Sequence, residues 1–314
     1  MCTYNGERFL IEQLDSILEQ THKNIELIIT DDGSTDKTIQ IIEQYLKQDN
    51  RIKLYQNKQN LGFVKNFEKA ISLCKGEYIA LADQDDIWKS KKLEIFLKQI
   101  KKNLLIYSDA ELIDNKSKLL NKTLISSSKK NLIKGKNNQA FLFDNCVSGN
   151  TLMFKKELIS TILPIPLEFV PFHDTWIAFI ASSIGTIDYT NEPMTYYRRY
   201  DEQITNNKKI KYKSVIDRFN AKEKKMKKEA SNNLAKYSFF LTLPFIKGET
   251  QTLLELLINH YLKFNTQYFN FELYQYLKSN KDTIFRIKPI SKRVRYSRNI
   301  SMKLPLHKLL LFTA

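Results

Sequence analysis

Tyr78-Ile79-Ala80-Leu81-Ala82-Asp83-Gln84-Asp85-Asp86 is the stretch on which the reading of this chain turns. Five mostly apolar residues run directly into three carboxylates within four positions. Carboxylates so placed repel one another and are costly to desolvate. The pattern reads as a buried strand that delivers charge to the carboxyl edge of a sheet, where open α/β folds bind their ligands. A hard cation such as Mg²⁺ or Mn²⁺, shared with phosphate oxygens, relieves crowding of this kind. The plainer alternative is that Asp85 or Asp86 caps a helix starting near Trp88, but a cap needs one carboxylate, not three.

A second stretch has the same form. Ile25-Glu26-Leu27-Ile28-Ile29-Thr30 ends in Asp31-Asp32-Gly33-Ser34-Thr35-Asp36. The helix after it has Ile39, Ile42, Tyr45 and Leu46 on one side, with Ser34 or Asp36 as its N-cap. Two strand ends with paired Asp, about fifty residues apart, are placed to converge on one crevice.

Taken in order, Met1-Cys2-Thr3-Tyr4-Asn5-Gly6-Glu7, Asp31-Asp32-Gly33-Ser34, Asn60-Leu61-Gly62 and Ala82-Asp83-Gln84-Asp85-Asp86-Ile87-Trp88 resemble family-2 glycosyltransferases of the GT-A fold. The subgroup they look like is the bacterial rhamnosyltransferase-like enzymes of surface polysaccharide assembly. The resemblance covers residues 1–205; each motif alone is common, and their order and spacing are specific. It implies a mixed, mainly parallel α/β sheet flanked by helices. It also implies a nucleotide-sugar site. Tyr4 and Asp31 fall where the family holds the base, with Thr3 and Asn5 on the same turn and Asp32 beside it. Asn60 and Gly62 match the loop before a helix carrying Val64, Phe67 and Ile71. Asp83 falls at the first acidic position of the Asp-x-Asp motif and Asp85 at its metal-ligating position, for Mn²⁺ or Mg²⁺.

The chemistry asks for these residue types. A nucleoside diphosphate leaves poorly until a cation neutralises its charge, and an acceptor hydroxyl needs a general base. The candidate base is Asp174 in Phe172-His173-Asp174-Thr175-Trp176, which resembles the family's acidic dyad with His173 in place of Glu. The alternative is that Asp174 only caps its helix, and His173 reads as structural. Cys146-Val147-Ser148-Gly149-Asn150-Thr151 looks like the acceptor-side turn. Asp109, after Tyr107-Ser108, reads either as a crevice residue or as a turn.

Two departures stand out. The family often has His two positions after the Arg of Tyr196-Tyr197-Arg198; here Tyr200 stands there, and Arg198 or Arg199 is read as a diphosphate contact or as part of an exposed loop. The first strand is also nearly missing, which predicts exposed neighbouring strands and a loosened Tyr4 loop. A start of translation upstream is favoured over a damaged protein.

Residues 1–205 hold 27 Lys plus Arg against 27 Asp plus Glu, and residues 206–314 hold 23 against 7, so the whole net charge of +16 lies in the C-terminal third. The expected organisation is a GT-A domain over 1–205 and a helical, basic region over 206–314. The basic stretches Lys208–Lys228 and Lys288–Lys308 suit an anionic inner-leaflet surface; the plain alternative is a solvated appendage. Nucleic acid is not expected, because no recognised module accompanies the charge. Ser238–Ile246 is too short to span a bilayer and is broken by Pro244. Cys2, Cys74 and Cys146 form no zinc or disulfide pattern, and Ser126 to Ala140 reads as a surface loop. These features predict a cytoplasmic enzyme, peripheral at the plasma membrane. It would move a sugar from dTDP-rhamnose or a UDP-sugar, by inverting transfer, to a lipid-linked glycan acceptor of lipopolysaccharide or capsule. The competing readings are an inactive, membrane-associated remnant and a sugar-nucleotide nucleotidyltransferase, the latter lacking its usual Gly-rich phosphate loop.

Overall fold

The computed structural model describes residues 1–128, 131–200, 215–287 and 291–302. The chain divides into two compact units, Met1–Tyr200 and Asp201–Ala314.

The first unit holds nine strands among its described residues: β1 (Cys2–Thr3), β2 (Leu27–Asp31), β3 (Ile52–Gln56), β4 (Tyr78–Ala80), β5 (Ile87–Trp88), β6 (Leu105–Ile113), β7 (Leu119–Thr123), β8 (Leu152–Lys155) and β9 (Ile187–Arg198). Strands β1, β2 and β3 form one parallel sheet in that order. A mixed sheet runs β4-β8-β6-β9-β5, with β7 paired to β6 and with β6 and β9 parallel. The Cys2 N–H reaches Ala82 O at 3.4 Å, so β1 abuts the end of β4 and the two sheets meet there. Every residue of β2 is buried, as expected of a parallel strand covered on both faces.

The helices are α1 (Leu10–Leu18), α2 (Thr38–Leu46), α3 (Phe63–Leu73), α4 (Lys92–Ile100), α5 (Leu124–Ser128), α6 (Ile159–Ile162) and α7 (His173–Ile184). Helix α1 buries Leu10, Leu14 and Ile17, spaced four and three apart on one face. They join Ile29 of β2, Ile42 of α2 and Phe96 of α4 in one apolar core. Each such side chain contributes about 1.5–3 kcal/mol on burial. Helix α7 buries Trp176, Ile177, Phe179 and Ile180 and leaves Asp174 in its first turn.

Three expectations are corrected. No helix starts near Trp88: Ile87–Trp88 pair as a strand with Thr195 and Tyr196, and α4 begins at Lys92, so neither Asp85 nor Asp86 is a helix cap. The segment from Ser126 to Ala140 is not simply a surface loop, because Ile133 is buried and exchanges two hydrogen bonds with the Tyr107 hydroxyl at 2.7 Å each. Asp109 lies within β6, where its carboxylate accepts the N–H groups of Ala110 and Ile125.

The short first strand also behaves differently from expectation. The Met1 amino group donates to Ile28 O at 2.7 Å, and Thr30 N–H donates to Met1 O at 3.0 Å. Below this contact a cavity of about 560 Å³ opens between Leu27-Ile28 of β2 and Tyr78–Ala80 of β4, walled by Ile17, Trp88, Leu97 and Met153. Cys2 and Thr3 nevertheless keep their register against Thr30 and Asp31, so the loop they carry stays anchored.

The second unit carries α8 (Val215–Leu241), α9 (Glu249–Leu262), α10 (Phe271–Ser279), α11 (Lys281–Ile284) and α12 (Ser291–Ile300). Leu253, Leu254 and Leu257 of α9 are buried, as are Leu273 and Leu277 of α10. Much of the two basic stretches lies outside the described residues. Within α12, Arg293 is buried and pairs with Asp282 at 2.9 Å. Among the described residues no helix is long and apolar enough to cross a membrane.

Leu14 has no exposed surface. Leu14→Ala is expected to cost about 2–5 kcal/mol, read as a lower urea midpoint at unchanged slope.

Candidate active site

The carboxyl ends of β1, β2 and β4 meet through side-chain amides. Gln84, between the two Asp of the Asp83–Asp85 motif, accepts the Tyr4 N–H at 2.8 Å and donates to Tyr4 O at 3.0 Å. Gln13 of α1 donates to Asp83 O at 2.7 Å. A Cβ on Gly6 would fall 2.4 Å from the Gln84 amide oxygen, so glycine is what permits this approach. The two Asp-bearing strand ends are therefore joined, from Asp31 through Thr3 of β1 to the Tyr4 loop and Gln84. Gln84 was not singled out in the sequence; an amide flanked by acids is the signal, since it donates and accepts where a carboxylate only accepts.

Asp31 and Asp32 build this edge from within. Asp31 is buried and accepts the Gly33 and Ser34 N–H groups at 3.1 and 2.8 Å, the Thr3 hydroxyl at 2.8 Å and the Ser34 hydroxyl at 2.5 Å. A carboxylate has about four lone-pair sites, so a nucleobase would reach Asp31 only by displacing one of these donors. Asp32 accepts the Leu61 and Gly62 N–H groups at 2.8 and 2.9 Å, and Asn60 donates to its carbonyl at 3.0 Å. Asn60 and Gly62 are thus a loop tied down by Asp32, and Gly62 has the positive φ of 81° that glycine tolerates. Tyr4 is about half exposed, and Asn5 takes its left-handed turn with Ser34 and Thr35 as partners.

The three acids of the motif divide in two. Asp83 and Asp85 are partly exposed, whereas Asp86 is buried. Asp86 points inward, accepting the side chain of Asn150 and the N–H of Arg198. Asn150 O in turn accepts Lys92 Nζ at 2.5 Å, and that ammonium also donates to Thr195 at 3.2 Å and lies 3.8 Å from the centre of the Trp88 ring. Lys92 has no exposed surface; burial pulls its ammonium well below the usual lysine range, against the pull of Asp86 and Asp83. Burial, then Asp85 and Asp83, raise Asp86 well above the usual carboxylate range. Lys92 carries no motif that would have marked it; Asn150 falls in the Cys146–Thr151 turn, but nothing in that turn signals its bond to Asp86.

Asp83 is pushed up to about 7, first by burial and then by the charges of Asp85 and Asp174. The turn that lends the Gly149 N–H to Asp174 also sends the Asn150 side chain to Asp86, which ties Asp174 to the motif. Asn145 Nδ2 and the Thr175 hydroxyl donate to Asp174 Oδ1 at 3.2 and 3.1 Å, and the Thr175 and Gly149 N–H groups add to them. Burial lifts Asp174 to about 6 against these donors. It sits inside the first turn of α7, whose N-cap is Phe172, so it does not cap the helix. His173 stacks on Phe67 at 4.0 Å, and a Cβ on Gly149 would lie 2.8 Å from its Nε2. Burial holds its pKa down to about 3, so His173 is neutral packing.

Arg198 is a correction. Its guanidinium has no exposed surface and donates to Asp85 O at 2.8 Å, Ser117 Oγ at 2.9 Å and Glu12 at 3.1 Å. It is spent inside the protein rather than offered to a diphosphate. Arg199 is the exposed guanidinium, 4.9 Å from the Tyr197 ring.

Among the described residues no three His, Cys, Asp or Glu side chains close around a metal. The residues still fit a hard cation. Asp83 and Asp85 are half-buried oxygen donors, Asp83 is raised by burial and then by the charges of Asp85 and Asp174, and Mg²⁺-type ions commonly take one or two carboxylates plus substrate phosphates.

A mixed α/β sheet with acids gathered at its carboxyl edge is the architecture of GT-A glycosyltransferases, and the comparisons with known proteins agree. The sequence profile of glycosyl transferase family 2 matches residues 1–161, half of the chain, which therefore belongs to that family. An uncharacterized glycosyltransferase of Haemophilus influenzae is 40% identical over 103 residues, 33% of this chain and 32% of that protein. The putative glycosyltransferase EpsH of Bacillus subtilis is 31% identical over 211 residues, 63% of this chain and 59% of its own length. The chain thus spans about a third of the first relative and about three fifths of the second. Staphylococcus aureus TarS 1–349, solved with UDP-GlcNAc, superposes with a TM-score of 0.57 at 16% identity, covering 96% of this chain and 86% of that one. The mannosyltransferase PcManGT of Pyrobaculum calidifontis, solved with GDP-Man and Mn²⁺, gives 0.53 at 14% identity, covering 99% and 77%. At these identities the likeness is one of fold.

Asp86→Ala would leave the Asn150 amide and the Arg198 N–H buried and unpaired. It is expected to cost about 1–3 kcal/mol in urea unfolding, whereas Asp85→Ala, at a partly exposed position, should cost less than about 1 kcal/mol.

Proposed function

We propose that this chain is a metal-dependent, inverting glycosyltransferase that moves a sugar from a nucleotide-sugar donor to a hydroxyl of a growing surface glycan. The observation that carries the reading is the set of acids held at one sheet edge: Asp83 and Asp85 stand half-buried after β4 and are joined to the Tyr4 loop through Gln84, and Asp174 is tied through the Gly149–Asn150 turn to the neighbouring Asp86. The Tyr4–Asn5 loop, joined to Gln84, is the seat for the nucleobase, and Thr3 supports it through Asp31. Asp83 and Asp85 would hold Mn²⁺ or Mg²⁺, which when bound neutralises the diphosphate as it leaves. With Arg198 turned inward, Arg199 is the guanidinium left to meet phosphate oxygens.

Asp174 is the base in this reading. Its Oδ1 is fixed by Asn145 and Thr175, which sets the plane of the carboxylate. Raised to about 6, it is ionised at neutral pH yet basic enough to take the acceptor's proton as the new bond forms. A direct displacement needs this one base and no covalent intermediate.

The donor is a UDP-sugar or dTDP-rhamnose. The fold shared with UDP- and GDP-sugar enzymes fits a nucleotide diphosphate without choosing the sugar. A lipid-linked acceptor suits the basic C-terminal region, which would bring the enzyme to an anionic inner leaflet. A relative named as a putative teichuronic acid biosynthesis glycosyltransferase, 40% identical over 92 residues, fits polymer assembly.

Calorimetric titration with UDP and with dTDP, each with and without Mn²⁺, tests the donor site: metal-dependent binding of one nucleotide is expected, and no binding of either defeats the reading. Asp85→Ala should abolish metal-dependent donor turnover with the fold intact. Asp174→Asn should block transfer and keep donor binding; wild-type transfer by that variant would remove it as the base. Because protonation of Asp174 removes the base, transfer should fall about tenfold per pH unit below about pH 6.

A further inference from the structure

We propose that the Tyr200 hydroxyl positions Asp85 for cation binding, holding one carboxylate oxygen and leaving the other to the metal. This inference rests on the metal-dependent donor reading above. The Tyr200 O–H donates to Asp85 Oδ2 at 2.7 Å. Its ring packs on Phe9 with centroids 5.2 Å apart, and the Arg198 guanidinium lies 4.3 Å from the centre of the same Phe9 ring. Phe9 is buried, so the phenol is mounted on core rather than on a loose side chain. The end of β9 thereby takes Asp85 at two points, the main-chain carbonyl through Arg198 Nε and the side chain through Tyr200. The neighbouring Asp86 is held by the Arg198 N–H.

This grip answers a specific problem. Asp85 stands next to Asp86 and one residue from Asp83, and repulsion would rotate an unrestrained carboxylate away from both. A phenol O–H supplies a hydrogen bond without adding a charge that competes with the cation. A phenol, with its ordinary pKa of about 10, keeps its proton at neutral pH and so remains a donor. With Oδ2 holding the phenol, Oδ1 would be the oxygen better placed to take a cation, and a ligand of that kind would leave room for phosphate oxygens and water. Outer hydrogen-bond partners of this kind typically govern metal affinity by about 10–100-fold.

Tyr200→Phe is the test, because it removes the hydroxyl and keeps the ring on Phe9. Mn²⁺ binding to the full chain is followed by the electron paramagnetic resonance signal of free Mn²⁺, with and without UDP, and thermal unfolding checks the fold. The expected result is Mn²⁺ affinity weakened about tenfold or more, with metal-free UDP binding unchanged. Unchanged affinity in Tyr200→Phe overturns the proposal, and so does tighter binding, which would mean the hydroxyl competes with the cation. If wild-type chain with UDP takes up no Mn²⁺, the metal reading itself falls and Tyr200's part falls with it.

Discussion

Repulsion among carboxylates at the sheet edge is the constraint on which the rest of the site depends. Asp83, Asp85, Asp86 and Asp174 occupy one neighbourhood, and burial raises three of them above the usual carboxylate range. Such a group stays together only if the surrounding chain holds each member against the others. The fold does this by dividing the acids. Asp86 is turned inward and given donors, while Asp83 and Asp85 are left facing the crevice. Lys92 is sealed beneath, its Nζ donating to Asn150 O and the Thr195 hydroxyl.

The strand ends supply the holding groups. β9 closes beside β5 and brings Arg198 and Tyr200 onto the Asp85–Asp86 turn from a position more than a hundred residues further along the chain. β8 follows the turn that carries Asn150, and the same turn lends the Gly149 N–H to Asp174. The site is thus made where parallel and antiparallel portions of the sheet meet, and the chemistry at its surface is set by residues that never face the ligand.

Much of this was legible in the sequence because strand-end acids and apolar runs are local signals. The runs before Asp31 and Asp83 became β2 and β4, and the apolar residues after Asp174 became the buried face of α7. What was hidden depends on long-range contact. Nothing near Arg198 tells that its guanidinium lies under Asp85, because a Tyr-Tyr-Arg-Arg run looks the same whether one arginine turns in or out. Lys92 reads as a surface lysine until its helix is docked. Trp88 was taken for helix because two residues are too few to show the alternation of a strand, and the pairing with β9 decides it. Tyr200 was legible only as the absence of a histidine.

The paired hydrogen bonds between Gln84 and Tyr4 carry a consequence of their own. They splice the loop proposed to seat the base to the loop proposed to seat the cation, so both halves of the donor rest on a single rigid jaw. Nucleobase preference and metal preference are then not independent traits that drift separately. A substitution at Gln84 or Gly6 would be felt at both loops at once, although neither residue needs to touch the sugar.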